Sequence, residues 1–172
     1  MNKVKSAGKI AVEALKKLIN YIKELIRKLL TKIKQSTSNS TDTPSNLLVT
    51  HLNRSLILIE KQLNITDRYI SSKGNSEQPS DRLTDVEDSI DKVKSLLDDG
   101  NSYISYKDLK DLSTRFGELL YQVEKSLILV EQVEYKASSD PERYMYDCAL
   151  IYPKIANRIY DIGHLIERLP VR

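Results

Sequence analysis

The chain has 172 residues, of which 40% are hydrophobic and 30% charged, with only five Gly and five Pro, so neither a disordered chain nor a turn-rich β fold is expected. Its single cysteine excludes an internal disulfide. The net charge of +3 hides an asymmetry, because residues 1–46 hold ten Lys/Arg and three Asp/Glu (+7) whereas residues 47–172 hold 17 and 21 (−4), which suggests that the basic part has its own partner.

The first predicted element is a long basic amphipathic helix over residues 1–34. Its apolar residues alternate by three and four, which is a heptad seam with β-branched residues at every a position. The predicted face toward a membrane or an oligomer comprises Val12, Leu15, Leu18, Ile19, Ile22, Leu25, Ile26, Leu29, Leu30 and Ile33. The predicted contacts to an anionic surface are Lys16, Lys17, Lys23, Arg27, Lys28 and Lys34.

Three hypotheses account for this helix. A broad apolar face flanked by lysines is typical of a helix that lies on an anionic membrane. A regular heptad seam also favours self-association, although flanks made almost entirely of Lys offer little charge to pair with a second copy. In the third hypothesis the helix packs on its own bundle as a fifth element. Nucleic acid is a weaker partner, since only Tyr21 is available to stack on a base.

The segment 35–46 is a predicted linker. It reads QSTSNSTDTPSN and has no apolar residue to place in a core. The linker separates residues 1–34 from a second predicted domain, residues 47–172.

Four further amphipathic helices are predicted in residues 47–172. Ser105 with Asp108 indicates the start of the third, and Pro153 is expected to kink or split the fourth. Short connections between such helices imply an antiparallel bundle. The predicted fold class is therefore all-α, an antiparallel four-helix bundle preceded by a separate basic amphipathic helix.

One internal similarity is visible between residues 54–60, RSLILIE, and residues 125–131, KSLILVE. It favours either a duplicated helical hairpin or a coincidence between two Leu/Ile-rich helices. The duplication would be excluded if the helical hairpin that contains residues 54–60 failed to superpose on the one that contains residues 125–131.

Residue types that carry chemistry are sparse. Neither His51 nor His164 has a Cys or a second His at metal-ligand spacing, and no glycine-rich phosphate loop is present. Cys148 has an acidic neighbour that would raise its pKa, so we expect a small packing residue. We therefore predict no metal, no cofactor, no small-molecule substrate and no enzymatic activity.

Arg158 and His164 form the one constellation that suggests catalysis. Their spacing resembles the Arg-x(4–6)-His motif of the HEPN family, small helical domains that often act as ribonucleases. The resemblance implies that Arg158 contacts a phosphate and that His164 is a general acid or base. It covers this spacing alone, and Ile159 stands where the family usually has a polar residue. A surface arginine and an edge histidine are the alternative.

The aromatic residues are mostly tyrosines, ten against one Phe and no Trp. A contact surface and a set of core-edge aromatics both fit the group near the last two helices. Its members are Tyr121, Tyr135, Tyr144, Tyr146, Tyr152 and Tyr160.

These observations favour a non-enzymatic assembly or adaptor protein. The N-terminal helix would bind an anionic membrane or form a homo-oligomer, and the bundle would bind a protein partner. The alternative is an oligomeric structural protein of a virion or nucleoid type, with its basic helix on nucleic acid; a HEPN-like ribonuclease is more remote. Without an apolar secretory segment or an uncharged run near 18 residues, we expect an intracellular location, cytoplasmic or peripherally membrane-associated.

Overall fold

The computed structural model describes residues 2–35, 47–79, 83–98, 103–136 and 142–171. These ranges contain five helices and no strand beyond an isolated bridge between Ile104 and Val171. The helices are α1 (Asn2–Gln35), α2 (Leu47–Ser71), α3 (Thr84–Asp98), α4 (Tyr106–Lys136) and α5 (Glu142–Glu167). The predicted all-α class is confirmed, and the packing of the helices is bundle-like.

The four long helices form a ring. Helix α1 packs against α4 and α5, and α2 packs against the same two helices on the other side. Over the described residues, no Cα atoms of α1 and α2, or of α4 and α5, approach within 8 Å, so each of these pairs lies diagonally across the bundle. The predicted separation of α1 from the bundle is therefore not confirmed, because α1 is one of the four helices around the core.

Helices α1 and α5 run parallel. Near the middle of α1, the ring of Tyr21 packs on that of Tyr160, and two turns later Lys28 pairs with Glu167 near the end of α5. The C-terminal ends of both helices therefore lie at the same end of the bundle.

Helices α2 and α4 also run parallel, since Gln122 donates to the Asn64 carboxamide and Ser126 lies four residues further on, beside Asp67. Because α4 starts at the end of the bundle where α2 starts, the chain must travel back along the bundle between them. Helix α3 forms that returning segment.

Helices α2 and α5 are antiparallel. Asp67 contacts Tyr152, whereas Tyr69, two residues further along α2, contacts Asp147, five residues earlier on α5. Together with the two parallel pairs, this makes α1 antiparallel to α4.

Helix α3 lies outside the ring, against α2 and α5. It has 15 residues, about 22 Å at 1.5 Å per residue, whereas the ring helices have 25 to 34 residues. In the described structure α2 packs directly on α3, but α4 makes no such contact with α5. The two hairpins therefore differ in packing, which argues against the duplicated hairpin.

Local signals explain the helix ends. The backbone N–H of Asp108 donates to Ser105 Oγ at 3.1 Å, which confirms the predicted start of α4. Helix α2 ends where Lys73 and Gly74 adopt positive φ angles of 54° and 85°. Of the two outcomes expected at Pro153, a kink or a split, the split does not occur, because α5 continues as a single helix on both sides of the proline.

The core fills the centre of the ring. α1 contributes Leu15, Leu18, Ile22, Leu25 and Leu29, each 1% exposed or less. α1 therefore supplies a large share of the core that the sequence assigned to the other helices.

Candidate functional site

The apolar face of α1 is covered by its own bundle. Seven of the ten residues predicted for a membrane or oligomer contact are buried against the core: Val12, Leu15, Leu18, Ile19, Ile22, Leu25 and Leu29. Ile26 and Ile33 are half-buried against it, and Leu30 alone is exposed, at 47%. The expectation that this face would be open to a membrane or a second chain is therefore not confirmed.

The opposite face of α1 is cationic and open to solvent. All six basic residues predicted to contact an anionic surface are exposed, as is Lys9. Five of the exposed cations follow one line along the helix at spacings of seven, seven, four and seven. We call them the cationic stripe: Lys9, Lys16, Lys23, Arg27 and Lys34. At 1.5 Å per residue the stripe is about 38 Å long.

An aromatic contact fixes α1 on α5. The ring of Tyr21 lies edge-on to the ring of Tyr160, with centroids 4.7 Å apart, and its hydroxyl donates to the Tyr160 carbonyl oxygen at 3.4 Å. The ring covers Gly163, which is buried. Burial and the nearby negative charge of Glu167 raise the pKa of Tyr21 to about 12. Tyr21 is therefore a neutral docking residue, and its face is not available to stack on a base.

Polar contacts join the ends of α1 and α5. Lys28 Nζ lies 3.2 Å from Glu167 Oε1, and Lys32 Nζ donates to the backbone oxygen of Glu167 at 2.8 Å. Burial lowers the pKa of Lys32, and the charge of Glu167 partly offsets that effect. A cleft of about 390 Å³ opens here, lined by Arg27, Lys28, Thr31, Lys32 and Glu167.

Arg158 and His164 face different neighbours. Arg158 lies 3.1 Å from Asp161 on its own helix and 3.9 Å from Glu87 on α3. His164 is exposed and lies beside Tyr21 of α1, with ring centroids 5.9 Å apart. The structure therefore does not bring this pair to one site on α5, as the HEPN resemblance would require.

A half-buried carboxylate joins three helices of the ring. Asp67 on α2 accepts hydrogen bonds from Ser126 on α4 and Tyr152 on α5, both at 2.8 Å. Burial raises the pKa of Asp67, although both hydroxyl donors act in the opposite direction. Cys148 is buried nearby, and desolvation raises its pKa as well. We interpret this group as a core network that fixes how the helices pair, since its carboxylate is occupied by core donors.

Among the described residues, no three His, Cys, Asp or Glu side chains are grouped closely enough to hold a metal ion.

The predicted tyrosine group divides between core and surface. Tyr152 is fully buried, Tyr160 is half-buried beside Tyr21, and Tyr121 is 65% exposed. The side chains of Tyr135, Tyr144 and Tyr146 lie outside the described residues.

Sequence reasoning missed Gly163, Lys32, Glu167 and Asp67. An isolated glycine inside an apolar helical pattern was the available signal for Gly163, because it marks a close approach. The other three acquire their roles only from the pairing of helices.

Comparison with known proteins found no matching family model, no matching curated protein and no matching solved structure. Within the parts of the chain that the structure describes, no helix is both long and apolar enough to cross a bilayer.

Proposed function

We propose that this chain is a non-enzymatic docking protein that binds an anionic membrane surface through the cationic stripe of α1 while the bundle stays intact. The carrying observation is the orientation of α1, whose apolar face is buried and whose stripe is exposed over about 38 Å. An extended row of cations suits a flat array of negative headgroups. Each Lys or Arg near such a surface contributes about 1 kcal/mol. Lys16 and Arg27 already pair with Glu131 and Glu24, so the five residues supply at most on the order of 5 kcal/mol.

Magnitudes decide whether α1 inserts its apolar face or remains docked. Burying a Leu, Ile or Val side chain contributes about 1.5–3 kcal/mol. The seven buried residues of the seam therefore represent roughly 10–20 kcal/mol. A membrane or a coiled coil would bury this seam again, but release of α1 would leave the matching apolar surface of α4 and α5 exposed to water, at a cost of similar size. The stripe supplies less than this, so we infer that α1 binds without leaving the bundle.

Two features favour lipid over nucleic acid. Leu30 is 47% exposed next to the basic residues, which suits shallow contact at the headgroup boundary. Tyr21 packs over Gly163 and is not placed to stack on a base.

The bundle offers a separate surface for a protein partner. Tyr121 and Ile128 lie one heptad apart on α4 and are 65% and 55% exposed. An exposed tyrosine on the same helix face as an exposed aliphatic residue is typical of contact surfaces, and this face of α4 is the proposed partner side of the adaptor.

Co-sedimentation with vesicles tests the proposal. The full chain is mixed with phosphatidylcholine vesicles and with vesicles that also contain phosphatidylglycerol, at low and high salt. We expect binding only to the anionic vesicles, and weaker binding at high salt because exposed charges are screened.

Matched charge variants identify the contact face. Replacing Lys9, Lys16 and Lys23 by Gln removes three charges from the stripe, and we expect a loss of about 100-fold in affinity. The control replaces Lys61, Lys92 and Lys94, which are exposed on α2 and α3. Equal losses in both variants, or tight binding to duplex DNA without binding to anionic vesicles, would contradict the membrane proposal.

A further inference from the structure

The cleft between the ends of α1 and α5 has the chemistry of an oxyanion site. Its lining places three cationic side chains, Arg27, Lys28 and Lys32, around one carboxylate, Glu167. Lys28 already holds that carboxylate at 3.2 Å, so the cleft binds an oxyanion supplied by the chain itself. Arg27 pairs with Glu24 on the outer side of α1, and both side chains are largely exposed.

Lys32 is the least solvated cation of the cleft. Its ammonium donates to the backbone oxygen of Glu167 at 2.8 Å, where the carbonyls at the end of α5 present partial negative charge. Burial lowers its pKa in spite of Glu167, which indicates that the negative charge around it does not fully compensate for lost solvation. A further anion in the cleft would supply that compensation.

We propose that this cleft binds a phosphomonoester group, and that the source of the group is a lipid headgroup of the membrane on which the stripe lies. A phosphomonoester carries close to two negative charges and three terminal oxygens, which match three cationic donors. A phosphodiester headgroup has one charge and two such oxygens, so it leaves one donor unmatched. The lipid source rests on the proposed function, whereas inorganic phosphate has the same chemistry and serves as the second probe.

Substitutions of Glu167 and Lys28 are expected to change the affinity of the cleft in opposite directions. The Glu167 carboxylate occupies Lys28 and repels a second anion, so Glu167→Gln is expected to tighten binding of the phosphomonoester by about threefold. Lys28→Gln removes a donor and is expected to weaken that binding about tenfold. Lys28 is exposed and Glu167 half-buried, and the loss of an ion pair this accessible to solvent changes stability little.

The experiment compares vesicles that contain phosphatidic acid with vesicles that contain phosphatidylglycerol, adjusted to the same surface charge. The wild-type chain is expected to prefer phosphatidic acid by about tenfold. Lys28→Gln should abolish this preference, whereas Lys16→Gln, a stripe residue outside the cleft, should weaken both interactions equally. Titration with inorganic phosphate, followed by calorimetry, measures the cleft without a membrane.

The outcomes separate this inference from the proposed function. Equal affinity for the two vesicle types, or equal effects of Lys28→Gln and Lys16→Gln, would overturn the cleft while leaving stripe-dependent membrane binding in place. Phosphate binding that requires Lys28, without any binding to vesicles, would assign the cleft to free phosphate and overturn both its lipid source and the membrane proposal. Tighter binding in Glu167→Gln supports the site, and weaker binding contradicts it.

Discussion

Replacement of Gly163 by alanine tests the docking of α1 at a single atom. A methyl group at this position would lie 3.0 Å from both Cε1 and Cζ of Tyr21, and closer still to the Tyr21 hydroxyl. Contacts of that length force the ring to move. The ring would then lose its hydrogen bond to the Tyr160 carbonyl and its edge-on contact with the Tyr160 ring.

The expected magnitude is a balance of opposing terms. Gly to Ala inside a helix gains about 1 kcal/mol from backbone entropy and propensity. Overpacking costs about 1–3 kcal/mol, and the 3.4 Å hydrogen bond contributes at the low end of about 0.5–1.5 kcal/mol. The net expectation is a destabilisation of about 1–2 kcal/mol.

Gly117 provides the matched control. It lies inside α4, and an added Cβ would meet nothing within 4 Å. Gly117→Ala should therefore stabilise the chain by about 0.5–1 kcal/mol. Urea unfolding of both variants measures the difference, which we expect to be about 1.5–3 kcal/mol.

Removal of the Tyr21 hydroxyl allows a double-mutant cycle between Tyr21 and Gly163. In a Tyr21→Phe background the closest clash is gone, so Gly163→Ala should cost less than it does in the wild-type chain. If Gly163→Ala stabilises the chain as much as Gly117→Ala does, Tyr21 does not cover Gly163 and the docking of α1 is refuted.

Three further predictions concern the core. Ile22→Ala should lower the free energy of unfolding by about 2–5 kcal/mol because Ile22 is fully buried. Leu30→Ala should change it by less than about 0.5 kcal/mol because Leu30 is exposed. Equal effects of the two substitutions would contradict the orientation of α1. Burial raises the pKa of Asp67, so its contribution to stability is present at low pH and lost as pH rises through the native pKa. Asp67→Asn should therefore gain stability relative to wild type as the pH rises above about 4, the ordinary pKa of an aspartate, and a constant difference in urea unfolding would refute this. Cys148 is buried with a raised pKa, so a thiol reagent should label it only as fast as the chain unfolds.

The heptad spacing of α1 predicted which residues would be buried but not what would bury them. Residues such as Leu15 and Ile22 need an apolar neighbour in a membrane, in another chain or in their own bundle, and the spacing is the same in all three cases. The polar segment 35–46 favoured separation because it joins no core, yet it also leaves α1 free to fold back. Residues 36–46 lie outside the described structure, and the domain boundaries stay a prediction.

The sequence predicted that α3 is one of the four helices of the bundle, and this was wrong because α3 is too short. Its apolar residues Val86, Ile90 and Val93 are buried, as their spacing predicted. At 15 residues α3 is too short to line a bundle built from helices of 25 to 34 residues, and α1 takes that place. Periodicity identifies an apolar face, whereas the choice among competing helices depends on length and fit.

The cationic stripe was accessible to sequence reasoning, but the cleft was not. Lysines opposite an apolar seam must face outward wherever the seam packs, so their exposure follows without knowledge of the partner. Their contact with an anionic surface stays a prediction. The contacts of Lys32 and Glu167 depend on the parallel pairing of α1 with α5, which no local pattern specifies.

Amide hydrogen exchange along α1 in the full chain tests the central claim most directly. If α1 is a ring helix, the amides between Ala11 and Leu29 should be protected to the same degree as those of α4 and α5, with and without anionic vesicles. Exchange of these amides at the rate of an isolated helix, while α4 and α5 stay protected, would contradict the docking of α1 and the orientation of its stripe.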